Sequence, residues 1–502
     1  MRRRLGLGLA LFVALTGCDD SEGTTASTTT GTGGAGGAAT TLASSTSTGS
    51  DPRPHPGKNA AGLNAGSCPG GPGTCALHVW SKRFGDASPQ YGETLATDAD
   101  GNVLFAGYFQ GNMDLGGGTL ASPGGFDVFL AKYDPSGRHL WSKRAGDSSD
   151  QACATVAVGG DGSVLITGHM AGNANFGGEQ PLTSAGSSDV FLAKYDASGA
   201  FLWNKRFGDG LGQWGSGLAV DLDDNIVLEG GFTGDLDFGG GAISSIGPND
   251  AFVAKLDADG EHLWTRQLGG TGSATTYNLV TDPSGAVLVV GWFSGTMDFG
   301  GGARTSAGNT DVFIVKLDAD GQYLWDQQYG DANAQESEGI AVDGDGNVLL
   351  AGYFRGTIDL GGEVLTSAGD YDVYIAKLDP DGNHLWSFRF GDDGMQAASR
   401  IVVDAFGDVL LTGHMTGSID FGGGSLVGAG SLDIFVAKLD AEGGHIWSAI
   451  FGEAENQTAQ TITTDPYGNV FLTGYIQGTA DFGGDPLMSA GSSDAFLVKL
   501  GP

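Results

Sequence analysis

Asp372–Phe390 reads DVYIAKLDPDGNHLWSFRF. The run DVYIAKLD is apolar and rich in β-formers, PDG supplies a turn, and NHLWSFRF resumes a strand-like run. Two such runs joined by an Asp-Gly turn are a strong local signal for a hairpin. A close copy, DVFLAKYDPSGRHLWSKRA, opens at Asp127. Trp80, Trp141, Trp203, Trp264, Trp325, Trp386 and Trp447 mark seven copies spaced about 61 residues apart. A repeat of this length denotes an array of supersecondary units that share a core with their neighbours.

Each unit carries four strand signals. In the fifth they are GIAVD (339–343), VLLAGYF (348–354), DVYIAKLD (372–379) and NHLWSFRF (383–390). DGN and PDG join the outer pairs, and a Gly-rich segment joins the middle two. No segment sustains a helical period. Four antiparallel strands repeated radially make a blade of a β-propeller. The repeat phase begins with a lone Trp strand, ALHVWSKRF (76–84), and stops after DAFLVKL (494–500), where a Trp strand is due. The expected fold is therefore all-β: a seven-bladed propeller of four-stranded antiparallel blades over 76–502. The N-terminal strand should join the last blade as its outermost strand and close the ring.

The motifs GNVLLAGYFRG (346–356), DAFVAKLDADG (250–260) and HLWS (384–387) resemble the bacterial β-propeller repeat, or SBBP, family of secreted and surface proteins. The resemblance covers about residues 76–500. It implies a seven-bladed propeller and no single activity, since function resides in sites placed on a fold.

The start of the chain points to an address. Arg2–Arg4 form a positive segment, Leu5–Leu15 an apolar one, and Leu15-Thr16-Gly17-Cys18 resembles a bacterial lipobox. Residues 1–17 thus read as a lipoprotein signal peptide and Cys18 as the lipidated residue. A lipid would anchor the chain at the cell envelope, on the periplasmic face or the cell surface, without a spanning segment. Residues 18–75 are rich in Thr, Ser, Gly and Pro and read as a flexible tether. Within it, Cys68 and Cys75 are candidates for a small disulfide loop. Cys153 reads as a buried thiol.

Charge narrows the partners. With 24 Lys+Arg against 59 Asp+Glu the net charge is −35. Nucleic-acid binders need a basic surface, so nucleic acid is excluded as a partner.

Residues constant through the repeats should serve the blade. The lysines Lys132 to Lys499 and the aspartates Asp127 to Asp494 recur once per unit on the same strand, which suggests a repeated internal ion pair or hydrogen-bond network. Gly107, Gly168, Gly230, Gly291, Gly352, Gly413 and Gly474 suggest close approach of backbones. Asp114, Asp237, Asp298, Asp359, Asp420 and Asp481 lie in Gly-rich loops, with Asn175 in the second unit. They are either turn formers or, as a weaker reading, Ca²⁺ ligands that stabilise a structural envelope protein. No other cofactor is expected.

A ligand site should lie where the units differ, on the segments entering each unit's first strand. Gln90, Gln213 and Gln335 belong to a near-constant ring, interrupted by Ala274. They read either as ligand-binding amides at the channel mouth or as fixtures of the blade junction. Around them Tyr91, Trp214, Tyr277, Glu336, Glu338 and Arg400 bring aromatic, acidic and cationic groups to one rim. Such a set suits a sugar or a peptide. Tyr108, His169, Trp292, Tyr353, His414 and Tyr475 read as packing at strand ends. The histidines show no metal spacing, and no nucleophile motif is present, so a hydrolase or quinoprotein-like enzyme is disfavoured. The functional expectation is a monomeric binding or scaffolding module whose ligand is a glycan, a peptide or an envelope protein.

Overall fold

The structure, a computed structural model, describes residues 77–502. The expected signal peptide, the lipidated Cys18, the tether and the Cys68–Cys75 loop lie outside the described residues.

Six four-stranded antiparallel sheets and one six-stranded sheet, whose first four strands form the third blade, make seven four-stranded blades. Blade 1 runs Gln90–Thr97, Val103–Phe109, Asp127–Tyr133 and His139–Ala145, from the innermost strand outward. Blades 2 to 6 repeat this order, with innermost strands Gln151–Val158, Gln213–Val220, Ser273–Thr281, Gln335–Val342 and Gln396–Val403. Blade 7 takes Gln457–Thr464, Val470–Ile476 and Asp494–Leu500, and His78–Phe84 completes it. That closing strand runs antiparallel to Asp494–Leu500, pairing Phe84 with Ala495 and His78 with Leu500. The expected closure is thus present. It gives blade 7 the same outermost strand as the others, so the inner strand Asp494–Leu500 is not left as a bare edge.

Local chemistry explains the turns. In blade 1 the carboxylate of Asp98 accepts from the amides of Asp100 and Asn102, and Gly101 N–H bonds back to the Asp98 carbonyl. Asp343 and Asp379 build the matching turns of blade 5.

The core lies between blades. Leu104, Leu130 and Val128 of blade 1 pack with Val164, Ile166 and Phe191 of blade 2, and each neighbouring pair repeats the arrangement. This two-sided burial accounts for the nearly unbroken apolar third strands. The expected close backbone approach is also present. A Cβ on Gly107 would lie 2.1 Å from the Tyr91 carbonyl oxygen, and one on Gly413 would lie 2.0 Å from that of Ala397.

The repeated Lys and Asp enter internal networks, the second of the two expected arrangements, and are not an ion pair with one another. They occupy opposite ends of the third strand and serve two networks. In blade 3, Lys255 Nζ sits 2.8 Å from Asp221 in its own blade's first turn and donates to the Ala319 carbonyl of blade 4 at 3.2 Å. Trp264 Nε1 donates to the same carbonyl at 3.0 Å. The lysines of blades 1 to 5 reach the next blade in this way, joined by Trp in blades 1, 3 and 4, and Lys499 and Trp80 do so across the closure by bonding the Pro135 carbonyl. Burial would raise the Asp221 carboxyl, but Lys255 and Asn225 outweigh it and hold it below the usual range. At the strand's other end, Asp127, Asp189, Asp372 and Asp494 are met by Arg144, Arg206, Arg389 and Arg83 of the fourth strand. Gln267 and Gln328 replace the arginine in blades 3 and 4.

Candidate functional site

Each first strand carries a β-bulge opposite the second strand. In blade 1 the pairing skips from Gly92 to Thr94, so Glu93 stands out of the ladder. Tyr277 and Glu338 occupy the same position in blades 4 and 5, and Arg400 follows the bulge of blade 6. Bulges re-aim side chains in this way. Since first strands are innermost, the bulges turn these residues toward the axis.

Charges from distant blades meet there. Arg400 of blade 6 feels Glu338 of blade 5, Glu229 of blade 3 and Glu93 of blade 1. Groups on four blades share a field only at the centre of the ring, so the lumen is lined by a mixed acidic cluster. Burial raises Glu93 to about 7, against a bond from Tyr108 and the pull of Arg400. Burial and the neighbouring Glu336 raise Glu338 to about 8, while Arg400 and Tyr353 oppose the rise. Glu229 is fully buried and pushed far above the carboxylate range by burial.

Around this cluster lie two aromatic walls. On one side Tyr353 Oη and Tyr277 Oη donate to Glu336 Oε2 at 2.8 and 3.2 Å, and Trp292 Nε1 donates to Tyr277 Oη at 3.1 Å. Tyr371 meets Tyr353 edge-on at 5.4 Å between ring centres. On the other side Tyr91 packs on Tyr108 at 5.1 Å and on Tyr475 at 5.2 Å, with Phe126 beside Tyr108. Trp214 lies over Gly231, where an added Cβ would meet its ring at 2.2 Å. The other six blades carry a larger residue at the Gly231 position. Blade 3 moves its aromatic bulk from the second strand to the first.

Of the residues expected at the rim, Tyr277, Glu336, Glu338 and Arg400 thus come together. Tyr91 joins a separate aromatic set, and Trp214 stands in blade 3. Gln90, Gln213 and Gln335 do not face the lumen. Each is fully buried. Gln213 Nε2 bonds the Thr233 carbonyl and Asp209 Oδ1, both at 2.7 Å, and its carbonyl accepts from Asp209 N–H. Gln90 and Gln335 repeat the pattern, so these amides fix the blade junction. The reading of Trp292 and Tyr353 as packing needs correction, because both enter the hydrogen-bond network of Glu336. Glu229 was legible only as a lone acid where other second strands carry Ala, Thr or Val.

The loop aspartates are spent on turns. Asp237 Oδ1 accepts from Gly239 and Gly241 N–H, and Asp114, Asp298 and Asp420 do the same one per blade. Asp359 and Asp481 cap Gly361 and Gly483. Among the described residues no three His, Cys, Asp or Glu side chains are grouped to hold a metal ion.

A family model described as a beta-propeller repeat matches residues 446–483, which span the blade 6 Trp strand and the first half of blade 7. One repeat of this seven-bladed propeller thus matches the beta-propeller repeat model. Curated relatives of the chain include an uncharacterized WD repeat-containing protein of Acanthamoeba polyphaga mimivirus, 22% identical over 76% of this chain and 35% of the relative. Another is the regulatory protein FlaEY of Caulobacter vibrioides, 29% identical over 32% of this chain and 17% of the relative. The propeller chain thus spans about a third or less of these relatives' length. Among solved structures, the Pan2 WD40 domain of Neurospora crassa matches with a TM-score of 0.42 at 10% identity, covering 83% of this chain and 90% of that one. YCF48 bound to a D1 peptide matches with a TM-score of 0.37 at 12% identity, covering 84% and 95%.

Proposed function

We propose that this propeller is a non-catalytic binding or scaffolding module, held at the cell envelope by a lipid on Cys18 and monomeric. One observation carries the reading. Blades that share their turns and third strands differ along their innermost strands, at Tyr91, Trp214, Tyr277, Glu336, Glu338 and Arg400. A single ligand rarely has sevenfold symmetry, so a site for one must break the repeat. Aromatic faces beside carboxylates and a guanidinium suit a glycan or a peptide. The strong negative charge argues against nucleic acid.

The test is a screen of the full chain against glycans, cell-wall fragments and peptides, repeated with Trp214→Ala and Tyr277→Ala. Binding lost in both variants while thermal unfolding stays two-state supports the rim as the site. Binding that survives both changes would move the ligand elsewhere. Fractionation of cells carrying Cys18→Ser tests the anchor: release of the chain from the membrane fraction is expected.

A further inference from the structure

Four carboxylates, Glu93, Glu229, Glu336 and Glu338, surround the axis, and Arg400 is the cation set among them. Glu336 and Glu338 are served by tyrosine hydroxyls. Glu229 has no such service. It is 0% exposed, and neither of its oxygens has a hydrogen-bond partner. Its position is built deliberately. A Cβ on Gly217 of the innermost strand would lie 2.4 Å from Glu229 Oε1, so glycine there clears the way for the carboxylate to pass toward the axis. Other second strands place Ala106, Thr167, Val290, Ala351, Thr412 and Thr473 at this point. Arg400 acts on Glu229 through its charge but does not bond it, since neither Glu229 oxygen has a partner. A buried carboxylate without a donor is costly; with nothing bound a proton relieves it, and a bound cation would displace that proton.

We propose that the lumen receives an organic cation, an ammonium or guanidinium group presented by the ligand, seated between Glu229 and Glu338 with Tyr277 and Tyr353 as its wall. This rests on the reading of the rim as the binding site and names the chemistry it takes. An anion is opposed by the excess of carboxylates. A bare metal ion needs several ligands converging on one point, and the described acids are not grouped so. A polyatomic cation spans the spaced carboxylates, and aromatic faces add attraction to it. The cation comes either from a Lys or Arg side chain of a peptide or from a free amine.

The test is calorimetric titration of the full chain with Gly-Gly-Arg-Gly-Gly, Gly-Gly-Lys-Gly-Gly and Gly-Gly-Gln-Gly-Gly, each N-acetylated and C-amidated so that only the side chain can carry charge, and with agmatine. The charged probes are expected to bind and the Gln peptide not to. Preference for the peptides assigns the cation to a side chain, and preference for agmatine assigns it to a free amine. Glu229→Gln and Glu338→Gln should each weaken binding about tenfold, the loss expected for one charged hydrogen bond. Arg400→Met should strengthen it, by removing a competing cation. Each variant alters one charge in a chain of net −35, so diffuse attraction would be untouched by it. Cation binding indifferent to both glutamate changes overturns the inference. So does a neutral glycan that binds through Trp214 while every cation fails, although the rim reading then stands. If no probe or glycan binds, both fall.

Discussion

Lys255 carries more than one interaction, and its loss should show it. Lys255→Met leaves Asp221 buried without its counter-charge and strips one donor from the Ala319 carbonyl. Breaking one side of a buried pair costs about 3–5 kcal/mol, so the urea midpoint should fall accordingly. Adding Asp221→Asn should recover much of that loss; failure to recover would mean the lysine acts through its bond to the next blade. Gly413→Ala tests the crowded ladder. Its new methyl would press on the Ala397 carbonyl from 2.0 Å, and overpacking of this kind costs about 1–3 kcal/mol. An unchanged midpoint would refute the steric account of the repeated glycines. Asp433 offers the converse. Ile450 stands where the other fourth strands carry arginine or glutamine, and burial raises the Asp433 carboxyl. Ile450→Arg should restore the missing pair and gain about 1 kcal/mol at neutral pH; a lower melting temperature would count against it.

The blade is the level at which the sequence spoke most clearly. Asp-Gly turns, apolar third strands and the lone Trp strand at 76–84 gave the strand order, the ring of seven and its closure, because turn chemistry and two-sided burial leave local marks. Partnership across blades leaves none. The Lys at the end of a strand and the Asp at its start read as one pair or one network, yet each turned to a residue that the linear pattern does not bring near. The gatherings of Arg400 with Glu93, and of Tyr277 with Glu336, depend likewise on ring geometry. The glutamines were ambiguous for the same reason: only the fold shows that their amides reach a backbone carbonyl twenty residues on. Deleting residues 78–84 should test the closing element. It would bare the edge of Asp494–Leu500 and leave Asp494 without Arg83. Self-association, read by light scattering behind a sizing column, is the expected outcome; a stable monomer would mean the ring closes without it.

Across the whole ring, two sets of acids pull stability in opposite directions with pH. The turn aspartates Asp98, Asp221, Asp282 and Asp343 are held below their ordinary values despite burial, by lysines, side chains and turn amides. Their contribution is full above about pH 4 and is lost as pH falls through the lowered values. Glu93 at about 7 and Glu338 at about 8 do the reverse, since the folded chain keeps protons that the unfolded chain has released. Asp127 at about 6 adds to them. Stability should therefore peak at about pH 4–5 and decline toward pH 8. Glu93 faces Tyr108 and Arg400, and Glu338 faces Glu336, Tyr353 and Arg400, so Glu338→Gln should flatten the declining limb without moving the acid one. A profile flat from pH 5 to 8 would contradict the placement of these carboxyls. The seam has a mechanical side as well. His78 and Leu500 are partners at one end of the same ladder. A load applied across these two residues opens that ladder from its end, one bond after another, whereas a load along the strands would strain all of them together. The strand that completes the ring is thus also one that tension on its end can peel away bond by bond.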